Sequence, residues 1–177
     1  MEFRLRNRAR LRRKELAELA QRLQGVLGTT TMFGEEDPIE VAEGPDRRYL
    51  LLKDDIIGFY EDDRPFLTPR GLLKYGATKR FVTVDMGAVP FVTKGADTMG
   101  PGITDADPDI KVDDLVWIRD ERHKKPLAVG RALSEASVLR AKTKGKQVKA
   151  LFHVGDKVWM HGQEPPAPAT PAAAPSE

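Results

Sequence analysis

Few side chains here have the types and spacing that bond-making chemistry requires. The chain has no cysteine and only three histidines, His123, His153 and His161. His123 lies in a Lys/Arg-rich loop and His153 in a strand-end motif, positions that suit structural histidines. No His-Glu-x-x-His pair, phosphate-cradling Gly/Lys loop or nucleophile elbow occurs. Asp105, Asp107 and Asp109 alternate as calcium ligands do, but Pro108, Ile110 at the sixth position and Val116 at the twelfth leave an acidic turn instead. No catalytic residue, metal or cofactor is therefore expected.

What the residues do suit is non-covalent capture of a polyanion. Lys94-Gly95-Ala96 followed by Met99-Gly100-Pro101-Gly102 puts a cation beside a main chain with few side chains in front of it. Glycine lets phosphate or a base edge approach backbone N–H groups closely. Lys94 adds a point charge and Met99 a soft apolar surface. The residues alone equally allow that these glycines only satisfy turns and that Met99 belongs to the core. Lys79 and Arg80 either extend the positive surface or are exposed charges at a junction. At the start of the chain Arg4, Arg6, Arg8, Arg10, Arg12, Arg13 and Lys14 face Glu2 alone, a local charge of +6 in a chain of net +2. Such concentration suits polyanion binding, although an Arg-rich helix start can also be a solvated face. Arg6, Arg8 and Arg10 are the candidate second phosphate footprint.

These residues need elements to hold them. The 177 residues are enough for one large domain or two small ones. No run approaches the roughly 20 apolar residues of a membrane helix, and no apolar stretch follows the basic start, so a soluble, cytoplasmic chain is expected. Phe3 and Leu5 alternating with Arg4 and Arg6 predict a strand with an all-arginine polar face. From about Ala9 the spacing becomes helical, with Leu16, Leu19 or Ala20, Leu23 and Leu27 on one face, Arg22 placed to pair with Glu18, and Gly25 and Gly28 as stops. Strands are expected over 39–41, 49–53 and 56–60, with a turn over 62–65. Thr68-Pro69 opens a short helix with Leu72, Leu73 and Tyr75 facing inward. Further strands are expected over 80–84, 115–118, 127–132, 146–152 and 157–160. A helix over 87–94 accepts Pro90 in its first turn. Trp117 and Trp159, each beside a valine in a strand pattern, read as core. Many short strands argue for a small barrel. Residues 162–177, rich in Pro and Ala, read as a disordered tail.

The run Asp85-Met86-Gly87-Ala88-Val89, then Val92-Thr93-Lys94-Gly95-Ala96-Asp97, then Met99-Gly100-Pro101-Gly102-Ile103 resembles the core of a PUA domain. That RNA-binding module is named after pseudouridine synthases and archaeosine transglycosylases. Asp113-Asp114-Leu115-Val116, the stretch 125–130 and the stretch 153–159 follow in the order of its later strands. Residues 1–77, with Arg64-Pro65-Phe66-Leu67-Thr68-Pro69 and Leu72-Leu73-Lys74-Tyr75, are similar to the pre-PUA domain of archaeal relatives of the malignant T-cell-amplified sequence proteins. The resemblance implies an α+β protein: a mixed α/β pre-PUA domain over 1–77, a PUA pseudobarrel over 78–161, and the tail. It implies RNA contact on this helix and the strand that follows, at Lys94, Gly95, Ala96, Met99, Gly100, Pro101 and Gly102, with Lys79 and Arg80 flanking the module. Asp85 matches the catalytic aspartate of a pseudouridine synthase in type only, because the whole catalytic domain is missing. The implied ligands are tRNA or ribosomal RNA on the small ribosomal subunit, in initiation or recycling, with a protein partner on the pre-PUA domain. The alternatives are an accessory subunit of a tRNA-modifying enzyme such as an archaeosine transglycosylase, or a module that docks protein alone.

Overall fold

The computed structural model describes residues 3–29, 32–34 and 36–163; the tail expectation lies outside these apart from residues 162 and 163. The chain begins with β1 (Arg6–Arg10), α1 (Arg13–Leu27), β2 (Ile39–Glu43), β3 (Arg48–Leu52), β4 (Asp55–Glu61), β5 (Arg64–Leu67) and α2 (Pro69–Tyr75). The five strands form an antiparallel meander in chain order. Helix α1 buries Leu16, Leu19, Ala20, Leu23 and Leu27, the face its three- and four-residue spacing defines. Gly28 ends it at φ +69, donating its N–H to the Gln24 carbonyl. Gly25 lies inside the helix and does not stop it. Arg22 bonds the Asp63 carbonyl instead of Glu18. The helix starts later than expected because Ala9 and Arg10 are taken up by β1, pairing with Val41 and Glu40.

Two other departures sit on this sheet. The expected turn over 62–65 shrinks to Asp62-Asp63, both at positive φ, and Arg64–Leu67 continues as β5. Two left-handed residues in a two-residue link match the twist of an antiparallel pair, and Pro65 is tolerable because β5 is an edge strand. In α2, Thr68 Oγ1 accepts the Gly71 N–H as an N-cap should. Leu72 is buried, but Leu73 is 56% exposed and does not face inward.

The second sheet is built from β6 (Phe81–Val84), β7 (Thr98–Met99), β8 (Ile103–Ala106), β9 (Leu115–Asp120), β10 (Pro126–Ala132) and β11 (Lys146–His153), in the order β7-β11-β10-β9-β6-β8. Helices α3 (Val89–Val92), α4 (Ala136–Arg140) and α5 (Lys157–Met160) and a 3₁₀ turn over Gly100–Gly102 complete it. The outermost strands β7 and β8 are joined by that three-residue turn alone, so the sheet must curl toward closure. Residues 157–160 form a helix, not a strand, because Asp156 Oδ1 accepts the Trp159 N–H and nucleates a turn. Trp117 is in the core as expected, with its indole N–H on the Lys79 carbonyl at 2.7 Å; Trp159 is only half-buried, with Arg70 stacked 4.2 Å over its ring.

One apolar cluster runs beneath both sheets. Phe152 of β11 packs edge-on to Phe59 of β4 with centroids 4.6 Å apart, and Leu115, Trp117, Val129 and Val158 join the same cluster. Arg131 of β10 reaches Glu61 at 2.9 Å and Asp62 at 2.8 Å across the junction. Beyond α5 the chain also returns to the first sheet, where Gln163 donates to Asp55 at 2.7 Å. Nearby, His161 meets the Phe3 ring edge-on. Burial, reinforced by the positive charge of Arg8, holds the His161 imidazole below its ordinary value of 6.5. The unfolded chain therefore takes up this proton more readily, and stability is lost as pH falls through 6.5. Denaturant midpoints should fall between about pH 7.5 and 5.5, and His161→Phe should flatten that decline.

Candidate nucleic-acid interface

The site is made where β6 ends and the chain must cross to the far edge of its own sheet. The Asp85 N–H donates to the Gly102 carbonyl at 2.9 Å, tying the two ends of the segment together. Asp85 Oδ1 accepts the Ala88 N–H at 2.9 Å, closing a turn ahead of α3, which spans only Val89–Val92 of the helix expected over 87–94. Pro90 occupies the first turn, and Gly95 leaves the helical region at φ +97. A Cβ on Gly95 would meet the His153 ring at 3.1 Å. Asp97 then anchors the return. Its carboxylate accepts from Lys146 Nζ at 2.8 Å and from the Ala150 N–H at 2.7 Å, and these contacts hold it below the usual aspartate range. Strand β7 follows, pairing with β11 through Thr98 and Met99.

Between α3 and the 3₁₀ turn lies a groove of about 310 Å³ whose walls include Asp85, Gly87, Phe91, Met99, Pro101 and Gly102. Phe91 is 67% exposed and Met99 51% exposed. Two large apolar side chains thus border a hollow whose opposite lining is partly glycine. Met99 is therefore a surface residue and not part of the core. Lys94 and Ala96 are exposed beside it. The arrangement offers flat apolar contact for a base, a nearby cation for phosphate, and close access to main chain.

Sequence reasoning missed Phe91. Its signal was present: a helix of four residues against a sheet turns only one side inward, and Val92 takes that place at 2% exposure. Gly100 is corrected. It is buried, its N–H donates to the Gly145 carbonyl at 2.9 Å, and a Cβ there would sit 1.6 Å from the Thr143 carbonyl oxygen. Its role is close packing, and it presents no surface to a ligand.

Of the candidates, Met99, Pro101 and Gly102 line the groove, Lys94, Gly95 and Ala96 follow Phe91 in the chain without lining it, and the others lie elsewhere. Lys79 and Arg80 precede β6, while the groove follows its far end, about 13 Å of strand away. Arg80, held at φ +62, lies 3.5 Å from Asp114. Arg6, Arg8 and Arg10 lie on β1 of the first sheet. A bulge between Arg6 and Ala9 shifts the alternation by one residue, so Arg6 and Arg10 do not share a face. The Arg8 guanidinium is occupied by Glu40, Asp54 and the Lys53 carbonyl, and its pKa is raised, chiefly by the Glu40 contact.

Comparison with known proteins places this geometry in context. Residues 80–154 match the model of the PUA domain. An uncharacterized protein of Methanocaldococcus jannaschii is 37% identical over 156 residues, spanning 88% of this chain and 96% of that one. Translation machinery-associated protein 20 of Saccharomyces cerevisiae is 26% identical over 140 residues, 75% of this chain and 77% of that one. Malignant T-cell-amplified sequence 1 of Rattus norvegicus is 28% identical over 129 residues, 70% and 71% of the two chains. The crystal structure of a hypothetical protein from Pyrococcus horikoshii superposes with a TM-score of 0.75 at 33% identity, covering 86% of this chain and 98% of that one.

The glycines of the turn separate by substitution. Gly100→Ala forces its methyl into the Thr143 carbonyl and should cost about 3 kcal/mol or more in urea unfolding. Gly102→Ala meets only the Ala88 methyl, at 3.1 Å, and should lower the midpoint far less.

Proposed function

Because the chain belongs to the PUA-domain family that includes the malignant T-cell-amplified sequence proteins, we propose that it binds RNA without catalysis and acts in translation. Its RNA is tRNA or the RNA of the small ribosomal subunit, met in the cytoplasm. The observation that carries this reading is the groove: exposed Phe91 and Met99 flank a hollow lined in part by glycine, with exposed Lys94 three residues beyond Phe91 in the chain. Exposed aromatic and thioether groups have an unfavourable solvent contact that base stacking relieves. The name of the yeast relative supports the setting in translation.

On this reading residues 78–161 form the RNA-binding unit, with contact at Lys94, Gly95, Ala96, Met99, Pro101 and Gly102, joined by Phe91. Residues 1–77 form a second unit. Its exposed Arg6 and Arg10 supply a weaker phosphate contact, and the rest of its surface is available to a protein partner.

Fluorescence anisotropy with end-labelled, unfractionated tRNA tests the groove. Phe91→Ala should weaken binding about 10-fold while leaving the thermal midpoint unchanged, since the ring is mostly exposed. Lys94→Ala should lower the downward log–log salt slope by about 0.7–0.9. Sedimentation of a lysate tests the setting. Migration with small ribosomal subunits is the expected result, and migration with a tRNA-modifying enzyme would replace translation by an accessory role in modification.

A further inference from the structure

Many arginines of this protein are neutralised at short range. Arg8 has Glu40 and Asp54, Arg47 and Arg131 share Glu61, Arg64 has Asp62 and Asp113, and Arg80 has Asp114. The tip of the β9–β10 hairpin differs. Arg122, Lys124 and Lys125 are all exposed within four residues, and among the described residues no carboxylate pairs with them. Glu121 and the ionised Asp120 offset part of this charge, yet the exposed side chains of Arg122, Lys124 and Lys125 leave a local excess of positive charge facing solvent.

The tip is also a shaped piece of backbone. Asp120, only 4% exposed, accepts the His123 N–H on Oδ1 at 2.5 Å and the Lys125 N–H on Oδ2 at 3.1 Å. The Lys124 N–H donates to the Asp120 carbonyl at 3.1 Å, and Lys124 is held at φ +56. Burial pushes the Asp120 carboxyl up, but N–H groups from His123, Lys125 and Arg122 outweigh it and hold the group below the usual aspartate range. A buried carboxylate is thus committed to fixing the direction of this loop.

That loop stands beside the groove. Glu121, the residue before the cations, donates its N–H to the Val84 carbonyl at 3.0 Å and accepts the Met86 N–H on Oε2 at 3.2 Å. Met86 lies between Asp85 and Gly87, which both line the groove. Cationic tip and apolar groove are therefore joined through one residue pair.

We propose that Arg122, Lys124 and Lys125 form a phosphate-contacting surface, over which the RNA backbone runs as a base occupies the Phe91–Met99 groove. This rests on the RNA reading above and extends it to residues outside the Lys94–Gly102 segment. The division of labour is physical: the groove supplies stacking, and the tip supplies most of the salt-dependent attraction.

The test measures binding of end-labelled, unfractionated tRNA across a salt series. The triple variant Arg122→Ala, Lys124→Ala, Lys125→Ala keeps Asp120, and the three side chains it removes are exposed, so the fold should persist by circular dichroism. Its log–log slope should fall by about 2 to 3 relative to the parent chain. Lys111→Ala, an exposed cation of the β8–β9 loop, should leave the slope unchanged. If the parent binds and the triple variant retains the full slope, or if Lys111→Ala lowers it as much per charge, the tip is not the contact while RNA binding stands. If the parent does not bind, the RNA reading falls and takes this inference with it.

Discussion

A three-residue crossing governs the second half of this protein. Strands β7 and β8 lie at opposite edges of one sheet, yet only Gly100, Pro101 and Gly102 separate them. The sheet can meet that demand only by curling and by letting main chains touch, which is why Gly100 lies against the Thr143 carbonyl with no room for a methyl group. The same tightness leaves no depth in which to bury Met99, and a one-turn helix can bury little more than Val92. Apolar exposure at the groove is thus a by-product of closing the sheet, and binding can exploit it.

Charge is distributed by a different rule. Between the sheets, Arg47, Arg64 and Arg131 interleave with Glu61, Asp62 and Asp113. The Arg47–Glu61 pair is mostly sheltered, whereas Asp62 and Asp113 are exposed and their pairs contribute little net stability, so the edge-on contact of Phe59 with Phe152 also matters in holding the halves together. Arg122, Lys124 and Lys125 at the β9–β10 tip have no such partners among the described residues, and their field extends into solvent.

Much of this was legible in the residues, because periodicity and capping are local. The α1 face, the Thr68-Pro69 helix start and the Gly95 stop each depend on neighbours within a few positions. The PUA resemblance located the segment that becomes the groove. What escaped notice depended in part on contacts distant in sequence and in part on local choices between two plausible periods. Strand β5 was hidden because Pro65 reads as a turn until β4 is known to lie beside it. The Lys157–Met160 helix was hidden because a single Asp156 cap decided between two plausible periods. Phe91 was overlooked because exposure of an aromatic follows from how short α3 is. Gly100 looked like Gly102 in sequence, and only the approach of Thr143 distinguishes them. The bulge that splits Arg6 from Arg10 follows from pairing with β2.

Phe152 belongs to β11, yet its ring rests against β4. Five buried residues of the second half, Leu115, Trp117, Val129, Phe152 and Val158, belong to the cluster of the first sheet, while the rest of its interior, Val92 beside the groove included, packs as a cluster of its own. Parting the halves would bare those five side chains to water, so the junction resists opening in proportion to the apolar surface it hides.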